Sequence, residues 1–270
     1  MFIILIIFII LIHKHRKYKT LFPTRTSIKD CIEKYLNTLS ISQLQKKVGK
    51  NLEDSEPRIE SLKELYYNGI KEFNNIEKKK LYKISKKLKL KNVKFVKTKG
   101  IEFSFPFTLC NIIFLPSWKF SSKVSTDSLE STVMHEYTHI LQRRDQVKYD
   151  KMYEQKFGKY IFQIKRENVN FDNVQERMII NPDADPYNVW LIKQVNELYY
   201  VPYMLSKNGV DTDLAFKVEK VDDGGVDGQH HHYKILSDYI HVSDLDYSKE
   251  FGRGVLLTDP NETYVNDLGY

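Results

Sequence analysis

Cysteine is nearly absent from this sequence. Its 270 residues include only Cys31 and Cys110, which lie far apart and form no CxxC pair. This spacing predicts neither a disulfide framework nor a zinc site built from cysteines. We therefore expect each cysteine to pack as a small apolar side chain, which favours a reducing compartment.

Internal repeats and low-complexity tracts are also missing. The chain has 41% hydrophobic residues, with 18 Tyr and 15 Phe, and this composition is typical of a folded protein rather than a disordered one. A length of 270 residues is enough for one large domain, or for a catalytic domain with a smaller helical attachment.

A long hydrophobic run is absent except at the N-terminus. Residues 1–12 (MFIILIIFIILI) are wholly apolar and are followed at once by HKHRKYK. As a helix they would cover about 18 Å, whereas a membrane span needs roughly 20 residues. The basic segment follows the run instead of preceding it and no cleavage site is visible, which argues against a secretory signal. We expect residues 1–19 to form a membrane anchor, with the catalytic part on the cytoplasmic side.

Acidic residues are fewer than basic residues, 35 against 42, and the net charge is +7. Much of the excess lies in residues 78–99, where Leu81, Ile84 and Leu88 recur at helical spacing. We interpret these lysines as the solvated face of an amphipathic helix. Binding to an anionic surface is the alternative, but no aromatic platform or nucleic-acid motif accompanies the lysines, so no specific nucleic-acid partner is expected.

The hydrophobic periodicity changes twice along the chain. Helical spacing begins near residue 27 and continues over residues 58–90. Residues 101–105 alternate as in an edge strand, and a second strand is expected over residues 109–115. Helices are predicted again from Asp127, with Glu130 completing a capping box, to about Arg144, and then over residues 148–165.

This order predicts an α+β fold with a small mixed sheet, an edge strand before the central helix, and mostly helical structure elsewhere. It divides the chain into the anchor at residues 1–19, an N-terminal helical region at 20–92 and a catalytic domain at 93–270.

The central helix contains the sequence HEYTH. His135 and His139 lie four residues apart, face the same side of a helix and are spaced to bind one Zn²⁺. Glu136 is placed to contact a water on that metal. In such an HExxH arrangement the ion lowers the pKa of the water towards about 7, while the glutamate accepts its proton and passes it to the leaving amine. The alternative is two half-buried histidines bonded to backbone or carboxylate groups.

The strand NIIFLP followed by the helix HEYTHILQRR resembles a zincin metallopeptidase, and the DPNE segment makes the likeness gluzincin-like. The ordered set TLCNIIFLP, HEYTHILQRR, NPDADPYNVW and DPNE also resembles a zincin-like group found in large DNA viruses and some bacteria. The resemblance implies a Zn²⁺ cofactor, a peptide or protein substrate, and pairing of an extended peptide with residues 112–115.

A catalytic zinc takes three protein ligands, so one ligand lies outside the motif. Glu262 would give the His, His, Glu set of gluzincins, although Asp259 and Glu262 also form a helix-capping box. Glu176 is the second candidate. Asp145 is the third, at the position of the last ligand in a metzincin-like pattern, but that pattern needs glycine where this chain has Gln142. We expect Glu262 to be the ligand.

These patterns together predict a membrane-anchored, zinc metalloendopeptidase-like hydrolase. His135, His139 and Glu262 hold Zn²⁺, and Glu136 is the general base. One alternative is a catalytically silent, zincin-like protein that is tethered to the membrane and serves for binding or structure. Another is an anionic-surface binder built on residues 78–99.

Overall fold

The computed structural model describes residues 21–39, 59–158, 160–171, 178–179, 188–194, 199–207, 210–221, 233–241 and 245. The described residues form two compact units that divide between Ile140 and Leu141, and residues 38–39 belong to the second unit. Helices and sheets both occur, in largely separate stretches of the chain, which confirms the α+β class. The predicted domain boundaries after residues 19 and 92 stay predictions.

The first unit combines helices with a four-stranded sheet. Its elements in chain order are α1 (Arg25–Leu36), α2 (Ile59–Gly69), β1 (Ile70–Lys71), α3 (Asn75–Lys87), β2 (Lys94–Thr98), β3 (Phe107–Leu109), β4 (Ile112–Pro116) and α4 (Thr126–Arg144). The last turn of α4, from Leu141, belongs to the second unit.

The single helix predicted over residues 58–90 is wrong, because Gly69 ends α2 and a short strand separates it from α3. A Cβ atom on Gly69 would lie 2.6 Å from Cγ2 of Ile101, so this close approach requires glycine. Helix α3 then starts anew at Asn74, whose side chain accepts a hydrogen bond from the Glu77 N–H at 2.9 Å while the Glu77 carboxylate accepts one from the Asn74 N–H.

The sheet of the first unit has the order β1-β2-β4-β3. Strands β2 and β4 pair in parallel and the other pairs are antiparallel, so the expected small mixed sheet is present. Strand β4, which precedes α4, is central and fully buried, so the prediction of an edge strand at that position is wrong. Residues 112–114 already pair on both sides, with β2 and with β3, and so have no edge to offer an extended peptide; Leu115 pairs with β2 alone.

The strand predicted over residues 101–105 is wrong as well. Residues 102–104 form a 3₁₀ turn, and Glu102 and Ser104 have positive φ angles of 44° and 62°. The hydroxyl groups of Tyr66 and Tyr35 donate hydrogen bonds to the Glu102 carboxylate, and the Trp118 indole N–H donates to the Ser104 carbonyl at 2.8 Å. These contacts come from distant parts of the sequence, so local alternation could not reveal them.

The two cysteines form a disulfide, which overturns the prediction that they pack as separate apolar side chains. Cys31 lies on the buried face of α1, and Cys110 lies in the turn between β3 and β4. Their Cα atoms are 6.2 Å apart, within the range that disulfides span. The bond joins α1 to the sheet that precedes α4, and it removes the argument for a reducing compartment.

The second unit is built mainly from β-structure, so the prediction of mostly helical structure beyond the small sheet is wrong. A seven-stranded sheet has the order β5-β8-β9-β10-β11-β6, with β7 paired to β9. Its elements are α5 (Gln146–Phe157), β5 (Ile161–Lys165), β6 (Val169–Asn170), β7 (Met178–Ile179), β8 (Asn188–Lys193), β9 (Tyr199–Lys207), β10 (Val210–Lys220) and β11 (Tyr233–His241).

The helix predicted over residues 148–165 therefore ends early, at Phe157, and β5 follows it. Gly158 caps α5, and the Gly158 N–H donates to the Glu154 carbonyl at 2.9 Å. The strands bury an aromatic-rich core in which Tyr153 and Trp190 meet edge to face, with ring centroids 5.7 Å apart.

The predicted membrane attachment is corrected. Across the described residues, no helix is both long enough and apolar enough to cross a membrane. The apolar run at residues 1–12 lies outside the described residues. The structure therefore gives no support for the predicted membrane anchor or for the cytoplasmic orientation derived from it.

Candidate active site on helix α4

Helix α4 spans Thr126–Arg144, which confirms the helix predicted for the HEYTH motif. Its apolar side is fully buried at Leu129 and Val133, and this packing fixes the direction in which the motif faces. The cap differs from the prediction: Ser125 Oγ accepts the Ser128 N–H at 3.0 Å. Glu130 instead forms an ion pair with Lys87, with 2.5 Å between Oε2 and Nζ.

The two histidines of the motif meet on one face of α4. Their Nε2 atoms are 3.1 Å apart, and the rings lie nearly perpendicular with centroids 4.8 Å apart. Two imidazole nitrogens bound to one tetrahedral zinc, each at about 2.05 Å, would be separated by about 3.3 Å. The observed pair therefore fits two ligands of one zinc ion without a change of helix geometry.

Burial distinguishes the residues of the motif. Glu136 is 3% exposed and His139 is 1% exposed, whereas His135 is half-buried. Because transferring a carboxylate out of water is costly, a protein retains one in its interior only where other groups compensate it or its chemistry is used. His135 therefore lies on the accessible side of the motif, with Glu136 and His139 behind it.

Neighbouring residues hold this part of α4 in place. The Lys91 backbone N–H donates to the Tyr137 hydroxyl at 3.1 Å, which ties the helix to the segment between α3 and β2. The Thr138 hydroxyl donates to the Met134 carbonyl at 2.9 Å and so keeps its polar group satisfied inside the core. The motif is thus supported on a helix whose own side chains are fixed.

A cation that the sequence reasoning missed lies one helical turn before Glu136. Lys119, in the 3₁₀ turn Ser117–Phe120, donates a hydrogen bond to Thr132 Oγ1 at 2.6 Å. Its Nζ also lies 4.6 Å from the centre of the Trp118 ring. Burial lowers the pKa of Lys119, and the negative charge of Glu136 partly opposes this shift. The only sequence feature that could have indicated this contact is the position of Lys119 between strand β4 and the helix that carries HEYTH.

Among the residues that the structure describes, no third ligand is brought to the two histidines. Asp145 is described: it precedes α5, and its carbonyl accepts the Lys148 N–H at 3.1 Å. Within the described ranges, no group of three His, Cys, Asp or Glu side chains is placed to hold a metal ion, so the prediction of a complete metal-binding group is wrong there. Glu262 and Glu176 lie outside those ranges.

Comparisons with protein-family models, with curated proteins and with solved structures give no match for this chain. A nitrogen pair with zinc spacing, a buried carboxylate next to it and a cation one turn away form an arrangement suited to hydrolysis, in which one group activates water and others bind the substrate.

Proposed function

We propose that this protein is a zinc-dependent hydrolase of peptide bonds, built on a zincin-like first unit. The observation that supports the proposal most strongly is the 3.1 Å separation of the His135 and His139 Nε2 atoms beside the buried Glu136. The general class of HExxH hydrolases uses this residue set with two ligands and one base on a single helix.

Each residue of the motif has a distinct role in this proposal. His135 and His139 bind zinc through Nε2, and the ion, when bound, supplies a Lewis acid for the substrate carbonyl and for water. Glu136 accepts the proton of the attacking water and passes it to the nitrogen of the leaving amine. Burial of Glu136 keeps bulk water away from this carboxylate, so that its proton goes to the substrate.

The proposal requires a third protein ligand. We assign this role to Glu262, because it would give the His, His, Glu ligand set of gluzincins, with Glu176 as the alternative. Both residues lie outside the described residues. A carboxylate completes the ligand set with an oxygen, as in zinc enzymes with two histidines and one glutamate.

Metal analysis of the full-length protein tests the assignment. We expect about one zinc per chain in the wild type, loss of zinc in His135→Ala and in Glu262→Ala, and full zinc in Glu136→Gln. Retention of zinc in Glu262→Ala together with its loss in Glu176→Ala would transfer the third-ligand role to Glu176. A wild-type protein without stoichiometric zinc would refute the proposed function.

Peptide cleavage separates a hydrolase from a silent zinc protein. A mixed peptide library is incubated with the wild type and with Glu136→Gln, and the products are identified by mass spectrometry. We expect cleavage by the wild type to fall at least 1,000-fold in Glu136→Gln, on the order of the loss when a general base is removed. Equal cleavage in both proteins, or none in either, would contradict the hydrolase proposal.

A further inference from the structure

We propose that Lys119 binds a carboxylate group of the peptide substrate, so that acidic peptides are the preferred substrate class. The inference rests on the proposed function, because it concerns the substrate of the same site. It depends on the position of the Lys119 ammonium group, on its remaining hydrogen-bond donors and on the spacing between Thr132 and Glu136 along helix α4.

The ammonium group is held beside the motif. Lys119 Nζ donates to Thr132 Oγ1, and Thr132 in turn donates to the Ser128 carbonyl at 2.9 Å, so the threonine hydroxyl is oriented with its lone pair towards the lysine. Thr132 precedes Glu136 by four residues and lies on the same face of α4. Because helix side chains lean towards the helix N-terminus, we expect the Glu136 side chain to lean towards the turn of α4 that contains Thr132, the partner of Lys119.

Two of the three ammonium donors remain available. Within the described residues, Lys119 makes one hydrogen bond, to Thr132, lies against the face of the Trp118 ring and interacts through charge with Glu136. Salt bridges in the same part of the chain join other lysines to other carboxylates, Lys87 to Glu130 and Lys97 to Glu77. Lys119 is thus a half-buried cation with capacity for an external anion.

The spacing along the helix fits a peptide substrate. The four residues from Thr132 to Glu136 rise about 6 Å along the helix, and an extended peptide advances about 3.3 Å per residue. A carboxylate at Lys119 would therefore lie about two residues from a bond that reacts at Glu136. Both a C-terminal carboxylate and an acidic side chain would reach this position, and a partly desolvated ammonium group favours either over a neutral group.

Equilibrium binding tests the inference without requiring hydrolysis. Trp118 is the reporter, because its ring contacts Lys119 and the chain has only 2 tryptophans. In full-length Trp190→Phe protein, with and without Glu136→Gln, Trp118 fluorescence is titrated with four probes. One pair is N-acetyl-trialanine and its C-terminal amide; the other is N-acetyl-Ala-Glu-Ala amide and N-acetyl-Ala-Gln-Ala amide.

We expect the acidic member of at least one pair to bind about tenfold more tightly than its neutral partner, as one charge-assisted hydrogen bond would give. Preference within the first pair identifies a terminal carboxylate, and preference within the second identifies an acidic side chain. Lys119→Met should abolish the preference, Lys119→Arg should retain it, and Thr132→Val should reduce it by removing the anchor of the ammonium group. Lys123→Met, at an exposed lysine of the same unit, is the matched control and should change nothing.

Equal binding of acidic and neutral probes, or a preference that survives in Lys119→Met, would overturn the inference. If Lys119→Met does not fold, a lost preference in the folded Thr132→Val variant carries the test, and an unchanged preference there counts against the inference. A Lys119-dependent preference in a protein that neither binds zinc nor cleaves peptides would refute the proposed function while leaving the carboxylate site in place.

Discussion

The two units of this protein are stabilised by different means. The first unit has a small mixed sheet, a disulfide and a helix that carries buried polar residues; the second has long, mostly antiparallel strands with an aromatic-rich core. Of the eight buried polar residues in the described chain, six belong to the first unit. They are Ser85, Thr98, Thr108, Glu136, Thr138 and His139.

This difference means that the first unit bears most of the energetic cost of burying polar side chains. Buried polar groups reduce the gain from burial unless their hydrogen bonds are made, so a region rich in them needs additional stabilisation. The disulfide between Cys31 and Cys110 supplies it in the unit that contains the HEYTH motif. Both units bury large aromatic side chains, but the second unit contains no cysteine and fewer of the buried polar residues.

The largest effect expected on this comparison comes from the disulfide. Because it closes a loop with a sequence separation of 79, breaking it should lower the free energy of unfolding of the first unit by about 4 kcal/mol. Denaturation is followed by Trp118 in Trp190→Phe and by Trp190 in Trp118→Phe, so that each unit has its own reporter. Reduction, or Cys31→Ser with Cys110→Ser, should shift only the Trp118 transition. Equal shifts of both transitions would show that the bond does not act on the first unit alone.

A matched pair of core substitutions gives the next largest effect. Ile113 in β4 and Ile235 in β11 are both fully buried strand residues, so each change to alanine should cost about 3 kcal/mol. Ile113→Ala should destabilise the first unit and weaken zinc retention, whereas Ile235→Ala should lower only the Trp190 transition. Loss of zinc from Ile235→Ala at a temperature where the Trp118 signal is native would contradict this division of roles.

High pH should produce a smaller effect that is confined to the first unit. Burial, and then the Glu102 carboxylate, raise the pKa of Tyr66 well above its usual value near 10. The folded state therefore favours the neutral phenol. This contribution to stability is complete below pH 10 and falls by about 1.4 kcal/mol per pH unit as pH rises above 10.

The pH effect is measured as the shift of the Trp118 transition between pH 9 and pH 11. Tyr66→Phe should flatten this dependence, although it also removes one hydrogen bond to Glu102. Tyr239→Phe, at a residue that is 50% exposed in the second unit, serves as the control and should leave the dependence unchanged. An unaltered slope in Tyr66→Phe would assign the pH sensitivity to another group.

Helix α4 was predictable because its information is local. Apolar residues recur at helical spacing, and the two histidines and Glu136 fall on positions whose relation a helix fixes. The same applies to α1, where the helical spacing that begins near residue 27 places Ile28, Cys31 and Ile32 on one face, and all three are buried. A missed local signal was Asn74 followed by Glu77, the capping box that begins α3 and divides the predicted long helix.

Features that depend on distant contacts were not predictable from local patterns. The disulfide needs α1 to lie beside the β3–β4 turn, and the positive φ at Glu102 depends on Tyr35 and Tyr66. Strand β4 (Ile112–Pro116) is apolar throughout, which favours burial on both faces, but its position between β2 and β3 depends on pairing with residues elsewhere in the chain. Lys119 joins the site for the same reason, through Thr132 on another element.

In the second unit, the available signal was a change of period. The sequence YIFQIK at residues 160–165 continues the helical spacing of α5 but also alternates as a strand, and Gly158 marks the point of change. The Phe162 ring contacts the Tyr199 ring, with centroids 5.2 Å apart, and this contact stabilises the strand conformation. Tertiary packing therefore decided between two patterns that the residues allow.

The central claim is that His135 and His139 bind one zinc ion next to Glu136. X-ray absorption spectroscopy of the purified full-length protein at the zinc edge measures this most directly. We predict a first shell with two imidazole nitrogens at about 2.0 Å and the remaining positions filled by oxygen, and loss of bound zinc in the double variant His135→Ala and His139→Ala. Stoichiometric zinc that persists in the double variant, or a first shell without two imidazoles, would contradict the account.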